Sequence, residues 1–550
     1  MKFSIAIGLF LPALCLGFVA NAGNYYINPA IGKDTNKGTS AGQCWKTVAP
    51  LKAIQLQPGD SILLATGQTF TGMLSLIDVR GTAEHPVVVC SYPYKKNRAK
   101  PILDAGDELN ALLIQNSSFI TVNGIELTAM VPFKKNTQTK VAEMRCGILV
   151  NVTKENSFEG ILLKNVSVHD VHYNAPGFKH DAAEIKTANG TQSYGWGIRI
   201  INIAKSGRLT RLKILKATVY NVSHTGIKAT ASVNGIQQLE IADCNVSHTG
   251  GPGMQFSGVT DGHIHHNKID HSGSTADSRN WGRGSGLWTW SCSNILIEHN
   301  RFEHANGPGD SAGVHIDYNC NDVVIQYNLS ANNAGGFCEI LGNNYNCAYR
   351  YNISVNDGHR VKGVNGAFQE GKIFWLSGYQ GNEKKNAGPY NSYFYNNTIY
   401  VSKNIVPKVA VSSSADGVLI ANNIFYFEDA AQMVAGDQKK KEVDVDGVPN
   451  VVFVNNLFLR ADNWPTELPL QDKAPITGDP LFKQKGSVQL SDYLPSNTNL
   501  IRNKGITLVP IPNDSIGLRI GLHVTHDILG NRIEGKPDIG AIELNDNTKK

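Results

Sequence analysis

The 550-residue chain carries 18% charged residues and 54 glycines, a composition that argues against disorder and suits a turn-rich fold. Its formal net charge of +5 is mild: compatible with an acidic glycan as partner, with no nucleic acid expected. Beyond the N-terminus no run is long and apolar enough to span a membrane. The length exceeds that of an ordinary single domain, a limit that solenoids escape because each coil touches only its neighbours.

Residues 1–22 read as a secretory signal, with Lys2 before an apolar stretch, Ile5 to Val19, and the small-x-small site Ala20-Asn21-Ala22. The mature chain would begin near Gly23 and be secreted or periplasmic. Removing the leader takes away Lys2 and no acid, so the net charge falls from +5 to +4. Eight cysteines remain, and export permits disulfides. Cys292 and Cys320 each stand eight residues before an asparagine of the repeat described below. That places them in one column about 4.8 Å apart, as a disulfide or, as favoured here, buried thiols.

Residues 23–100 read as an N-terminal cap and first rungs. A strand near Tyr25 leads through a Gly/Asn/Asp loop to a short helix, Thr47 to Ile54, and Pro58-Gly59-Asp60 turns into a strand at Ser61–Leu64. The helix would cover the open end of the coil, where strand edges and apolar core need shielding. Asp34 is the one carboxylate in the loop, too few for calcium.

Residues 101–460 read as a parallel β-helix of about eleven rungs, an all-β solenoid. Its mark is an asparagine recurring after a short apolar run: Asn267, Asn300, Asn328, Asn352, Asn397, Asn423 and Asn456. A ladder of side-chain amides bonding from rung to rung would explain it. The phrase NVSHTG at 221–226 and again at 245–250, then KIDHSG at 268–273, aligns His224, His248, His271 and His304 in a turn column continued by Asn332 and Asn356. Such a column either stabilises turns or walls a substrate site; stacked imidazoles would be mostly neutral.

The strand after that turn alternates with period two. Ile227, Met254, Phe256, Leu287, Val314 and Ile316 point inward, while Lys228, Gln255, Trp288, Trp290, His315, Asp317 and Glu339 point outward on one sheet. An outward strip this rich in aromatic and ionisable groups reads as a contact surface. Loops after the same turn, carrying Arg283, Asp310 and the 358–372 stretch, should wall one groove over it. Residues 461–550 depart from the coil and read as a C-terminal capping segment.

The opening YYINP, the centre DSAGVHIDYNC and the close DIGAIE resemble the secreted right-handed parallel β-helix proteins (pectate-lyase-like superfamily) of polysaccharide-degrading bacteria. The resemblance covers almost the whole mature chain and implies the fold and a polysaccharide or oligosaccharide substrate. It does not choose among hydrolases, lyases, epimerases and adhesins. The favoured chemistry is glycoside hydrolysis by Asp317 and Glu339, whose Cα atoms a rung spacing and a two-residue offset place roughly 8 Å apart. His315 would tune the pair; Trp288 and Trp290 would stack on sugar. Lys228, Arg283, Asp310, His248, His271 and His304 would complete the binding surface. A lyase or epimerase using Lys228, His315, His248 or Arg283 is the alternative, then a non-catalytic glycan binder. Concentration of the unusual residues on about five rungs favours a single cleft in a monomer, with no cofactor and no metal.

Overall fold

Each coil is built from three short strands separated by tight corners, and each strand pairs in parallel with its counterpart one coil on. The computed structural model describes residues 22–133, 142–381, 383–434, 448 and 450–544. Apart from Ala22, the expected leader lies outside the described residues, as does the charged stretch 439–446. Three parallel sheets result, of 15, 12 and 14 strands among the described residues. Sheet I starts at Asn24–Ile27, sheet II at Leu74–Ile77 and sheet III at Thr69–Thr71. In a typical coil the chain passes from sheet I (Arg208–Leu215) to sheet III (Thr218–Val222) to sheet II (Ile227–Ala231).

Alternation decides what fills the interior. Ile227, Met254, Phe256, Leu287, Val314 and Ile316 all join one continuous core that runs the length of the coil. From Ile120–Asn123 to Val451–Val454, sheet I holds eleven successive strands, and three more precede them, so the coil begins well before residue 100. The expected helix is a single 3-10 turn, Ala49–Ala53, whose Leu51 joins the core beside Trp45 and Val48.

The corner between sheets I and III carries the asparagine ladder. Asn267 donates its amide to Asn300 Oδ1 at 2.9 Å, Asn300 to Asn328 and Asn328 to Asn352, both at 3.0 Å. Asn352, Asn397 and Asn423 continue it, and Asp472 closes it by accepting from Asn456 at 2.7 Å. The residue before each rung asparagine is left-handed (φ 51–59°): His266, His299, Tyr327, Tyr351, Asn396, Asn422 and Asn455. The amide thus replaces strand pairing where the backbone must turn sharply.

The corner between sheets III and II holds the second column. His248, His271, His304, Asn332 and Asn356 are all left-handed there (φ 51–57°). His224 is not among them. Val219 pairs with Val246 and Val222 with Thr249, so this coil is 27 residues long, and the two NVSHTG phrases, 24 apart, lie three residues out of phase. Asn221 (φ 51°) takes the turn position, and His224 is buried between Trp196 and Trp281.

Cys292 and Cys320 are buried free thiols on neighbouring coils. After the last coil, Trp464, Leu468 and Leu470 plug the end of the core. Asp472 and the short strand Ile476–Thr477, paired with Leu457–Phe458, also cover that end, as expected of a cap; the later part of the segment runs back along the outside. Leu508, Ile511, Leu518 and Leu522 pack on the outer face of sheet I, against Tyr393, Tyr395 and Leu419. Ile501, Ile528 and Ile539 pack on sheet III, against Leu329, Ile353 and Ile424. No helix among the described residues is long and apolar enough to cross a membrane.

Candidate active site

The outward face of sheet II carries one row of side chains from coil to coil. Arg199, Lys228, Gln255, Trp288 and His315 are successive Cα partners. Ile316 pairs with Ile340, which carries the row on to Glu339, and Glu339 pairs with Trp375. One residue departs from the expected register. Trp290 stands opposite Tyr318 and not Asp317, because a bulge follows the Thr289–Ile316 pair. A bulge at a sheet's functional face re-aims a side chain.

Insertions at the corner between sheets III and II wall this row, as their common position in each coil implied. They contribute Asn189, Arg283, Asp310, Arg360 and Phe368; Tyr379 and Gly381 come from the opposite corner. Together with Trp288, Trp290, His315, Asp317, Glu339 and Trp375 they enclose a cavity of about 450 Å³. Sequence reasoning missed Tyr318, Lys372 and Trp375. The alternating stretch 372–376, KIFWL, was the available signal for Trp375, the next member of the row.

Two arginines fix Asp310. Arg283 Nη2 donates to its carboxylate at 2.8 Å, and Arg360 Nη1 donates to its carbonyl oxygen at 2.8 Å. Its backbone N–H donates to Gln369 Oε1 at 2.5 Å. Burial would raise the Asp310 pKa, but the charge and hydrogen bond of Arg283 outweigh it and hold the carboxyl below its ordinary value. Asp317 moves the other way: burial, then the negative charges of Asp310 and Glu339, push it up to about 8. His315 lies parallel to Trp288, ring centroids 6.0 Å apart, with Nδ1 3.8 Å from Glu339 Oε2. Burial lowers its pKa to about 4, so at neutral pH it presents a neutral imidazole beside the carboxyls. Beneath the row, the core phenol Tyr349 donates to Val314 O at 2.9 Å and accepts the Glu339 N–H at 3.4 Å, bridging the strand of His315 and Asp317 to that of Glu339.

Other expected site residues fall elsewhere or act differently. Arg283 lines the cavity and gives its Nη donors to Asp310 and to Thr187 O at 2.9 Å, so it positions Asp310, while its Nε is left without a partner. Trp288 is 9% exposed and largely covered, while Trp290, at 41%, is open to solvent and leans on Tyr318. Lys228 lies under Asn189, behind the cavity wall. His248, His271 and His304 are outside the groove, stacked on the exposed edge of sheet III at 4.8 Å intervals. There, His271 and His304 both hydrogen-bond Asp270 Oδ1, at 2.6 and 3.0 Å. Among the described residues, this is the one group of three or more His, Cys, Asp or Glu whose ligand atoms all converge within 4.8 Å. Lys268, 3.4 Å from Asp270 Oδ2, already helps to balance that carboxylate.

Comparison with known proteins agrees with this architecture. The family described as the right handed beta helix region matches residues 197–368. Lacto-N-biosidase of Bifidobacterium longum subsp. longum is 24% identical over 656 residues, covering 98% of this chain and 38% of that protein. The chain therefore spans well under half the length of that curated relative. The crystal structure of GH136 lacto-N-biosidase from Eubacterium ramulus superposes with a TM-score of 0.51 at 20% identity, covering 75% of this chain and 67% of that one. Its native form gives 0.51 at 19% identity, with 75% and 68% covered. Strand order, family match and superposition agree on the architecture: the chain is a right-handed parallel β-helix.

Proposed function

We propose that the protein is an exported glycoside hydrolase that cleaves a glycosidic bond of an oligosaccharide in the sheet II cavity. The observation that carries this reading is the opposite displacement of two carboxyl groups lining one cavity, Asp310 down and Asp317 up. Glycoside hydrolysis needs such a division of labour: a carboxylic acid that keeps its proton at neutral pH and a carboxylate that does not. Asp317 donates its proton to the departing glycosidic oxygen. Asp310 stays ionised and faces the positive charge that develops on the sugar. Glu339 supports Asp317 as the acid by raising its pKa, a different role from the paired catalyst that strand register suggested. Trp290 and Tyr318 offer an aromatic surface at the mouth, and His315 offers a neutral ring nitrogen. The similarity to lacto-N-biosidase supports hydrolysis as the reaction class.

Incubation with a panel of oligosaccharides tests the reading. New reducing ends without the ultraviolet absorbance of an unsaturated uronide are expected, and the absorbing product would establish elimination instead. The anomer released first, read by proton NMR, reports whether Asp310 attacks the sugar directly or through water. A secreted form whose mass begins at Gly23 is the expected sign of export.

A further inference from the structure

The row that forms the cavity floor does not stop at the cavity wall. Beyond Trp288 it continues through Gln255, Lys228 and Arg199, roofed by the 184–191 loop. Glu184 pins that loop: its carboxylate accepts from Thr191 Oγ1 at 2.6 Å and from the Gln192 N–H at 2.9 Å.

Lys228 and Arg199 are 7% and 6% exposed and are Cα partners on adjacent coils. Two neighbouring buried cations call for a counter-charge, yet among the described residues no carboxylate pairs with either. Arg199 Nη1 reaches only carbonyl oxygens, of Ile200 at 3.0 Å and Lys228 at 3.3 Å, and its Nε has no partner. The one hydrogen bond of Lys228 Nζ goes to Asn189 Oδ1, 3.4 Å away, beside the face of Trp196. Gln255 Nε2 donates to the same oxygen at 3.1 Å, and Gln255 Oε1 is left without a partner. One amide oxygen therefore serves two donors where a charged acceptor would fit better. Burial, then Arg199, brings the Lys228 amine down to about 7, a cost that an anion would remove.

We infer that Lys228 and Arg199 form a subsite for an anionic substituent of the glycan, a carboxylate or a sulfate, whose oxygens displace Asn189 Oδ1. Asn189 itself lines the cavity, so the substituent enters from the substrate side. Lys228 stands three coils from His315, roughly 14 Å at the spacing of parallel strands, within the span of a short oligosaccharide. The inference rests on the cavity being a glycan site and names the class of glycan it takes.

The test uses the full chain with Asp317→Asn on an array pairing each neutral glycan with its carboxylate-bearing and sulfate-bearing forms. At low salt at least one anionic series should bind about tenfold or more tighter than its neutral partners, the scale of a charge-assisted hydrogen bond. Which series does so separates carboxylate from sulfate. Adding Lys228→Met should bring the ratio to about twofold or less, and Lys228→Arg should keep it. Asn189→Asp places a carboxylate on the two cations from within. It should raise the unfolding midpoint and abolish the preference even if Lys228→Met fails to fold. Equal binding of neutral and anionic partners, no binding of any anionic glycan, or a preference that survives Asn189→Asp would each overturn the inference. Turnover is scored separately with the wild-type chain. Hydrolysis of neutral glycans without anion preference defeats the subsite and leaves the hydrolase intact. Anion-selective binding without turnover of any glycan defeats the hydrolase and leaves the subsite.

Discussion

Asp310 and Asp317 are the same functional group in one cavity, and their surroundings set them to opposite tasks. Asp317 is protonated until about pH 8, so a catalytic cycle that needs its proton should lose kcat/KM as pH rises through that value. The limb belongs to the coupled carboxyl cluster, since Asp310 and Glu339 both help to set it. Asp317→Asn should lower kcat by about 10²–10⁴-fold and remove the alkaline limb, because an amide keeps the shape but carries no transferable proton. A pH profile of the residual activity that retains this limb would assign it to another group. The acid limb reports Asp310. Its pKa lies below the ordinary value because Arg283 outweighs burial, so activity should persist into acid until that carboxylate is protonated. In Arg283→Gln the depressing charge is gone, and the acid limb should move to higher pH. An unmoved limb would show that Arg283 supports the loop without tuning the carboxylate.

At the scale of the strand and turn, the asparagine ladder has the largest structural consequence. Asn328 donates to Ile297 O, Gln326 O and Asn352 Oδ1, and it accepts from the backbone and amide of Asn300. Asn328→Ala would leave several of these buried groups without partners, each costing about 1–3 kcal/mol, so a loss of about 3 kcal/mol or more is expected. Urea denaturation measures it, and a change under about 1 kcal/mol would mean that the rung relaxes without its amide. This ladder was legible in the sequence because one side chain, needed at every coil, recurs at coil spacing. The outward row was legible for the same reason, through period-two alternation beside a core that tolerates only apolar residues. The bulge at Asp317 was not, because an extra residue in one strand leaves the alternation on either side unchanged. Nor was the phase of NVSHTG: identical phrases 24 residues apart suggest one coil, but the intervening corner is three residues longer. The roof over Lys228 and the pairing of Arg283 with Asp310 depend on how long insertions fold back. No local pattern encodes that.

Across the whole molecule, the C-terminal strap explains why the groove lies where it does. The outward faces of sheets I and III become apolar in the later coils, as in Tyr390–Tyr395 and Ile424–Phe427, because the strap covers them. No residue of the strap lines the cavity, so the face of sheet II stays open to substrate. The strap is closed by three buried carboxyl groups. Glu543 accepts the Asp538 N–H at 3.0 Å, Asp527 accepts the Glu543 N–H at 2.7 Å, and Asp538 accepts the Leu544 N–H at 2.7 Å. Burial, then the charge of Asp538 and to a lesser degree Asp527, pushes Glu543 up to about 8. A carboxyl whose folded pKa is raised prefers its protonated form in the fold, while the unfolded chain ionises it above the ordinary glutamate range. Stability should therefore fall as pH climbs from about 4.5 to about 8 and level off beyond. Glutamine imitates the protonated acid and keeps the acceptor for Asp538. Glu543→Gln should accordingly match wild type near pH 4 and exceed it at pH 8, by about 2 kcal/mol or more. Paired urea midpoints at the two pH values measure the difference. A variant that follows the wild-type pH dependence throughout would show that Glu543 keeps its charge in the folded strap.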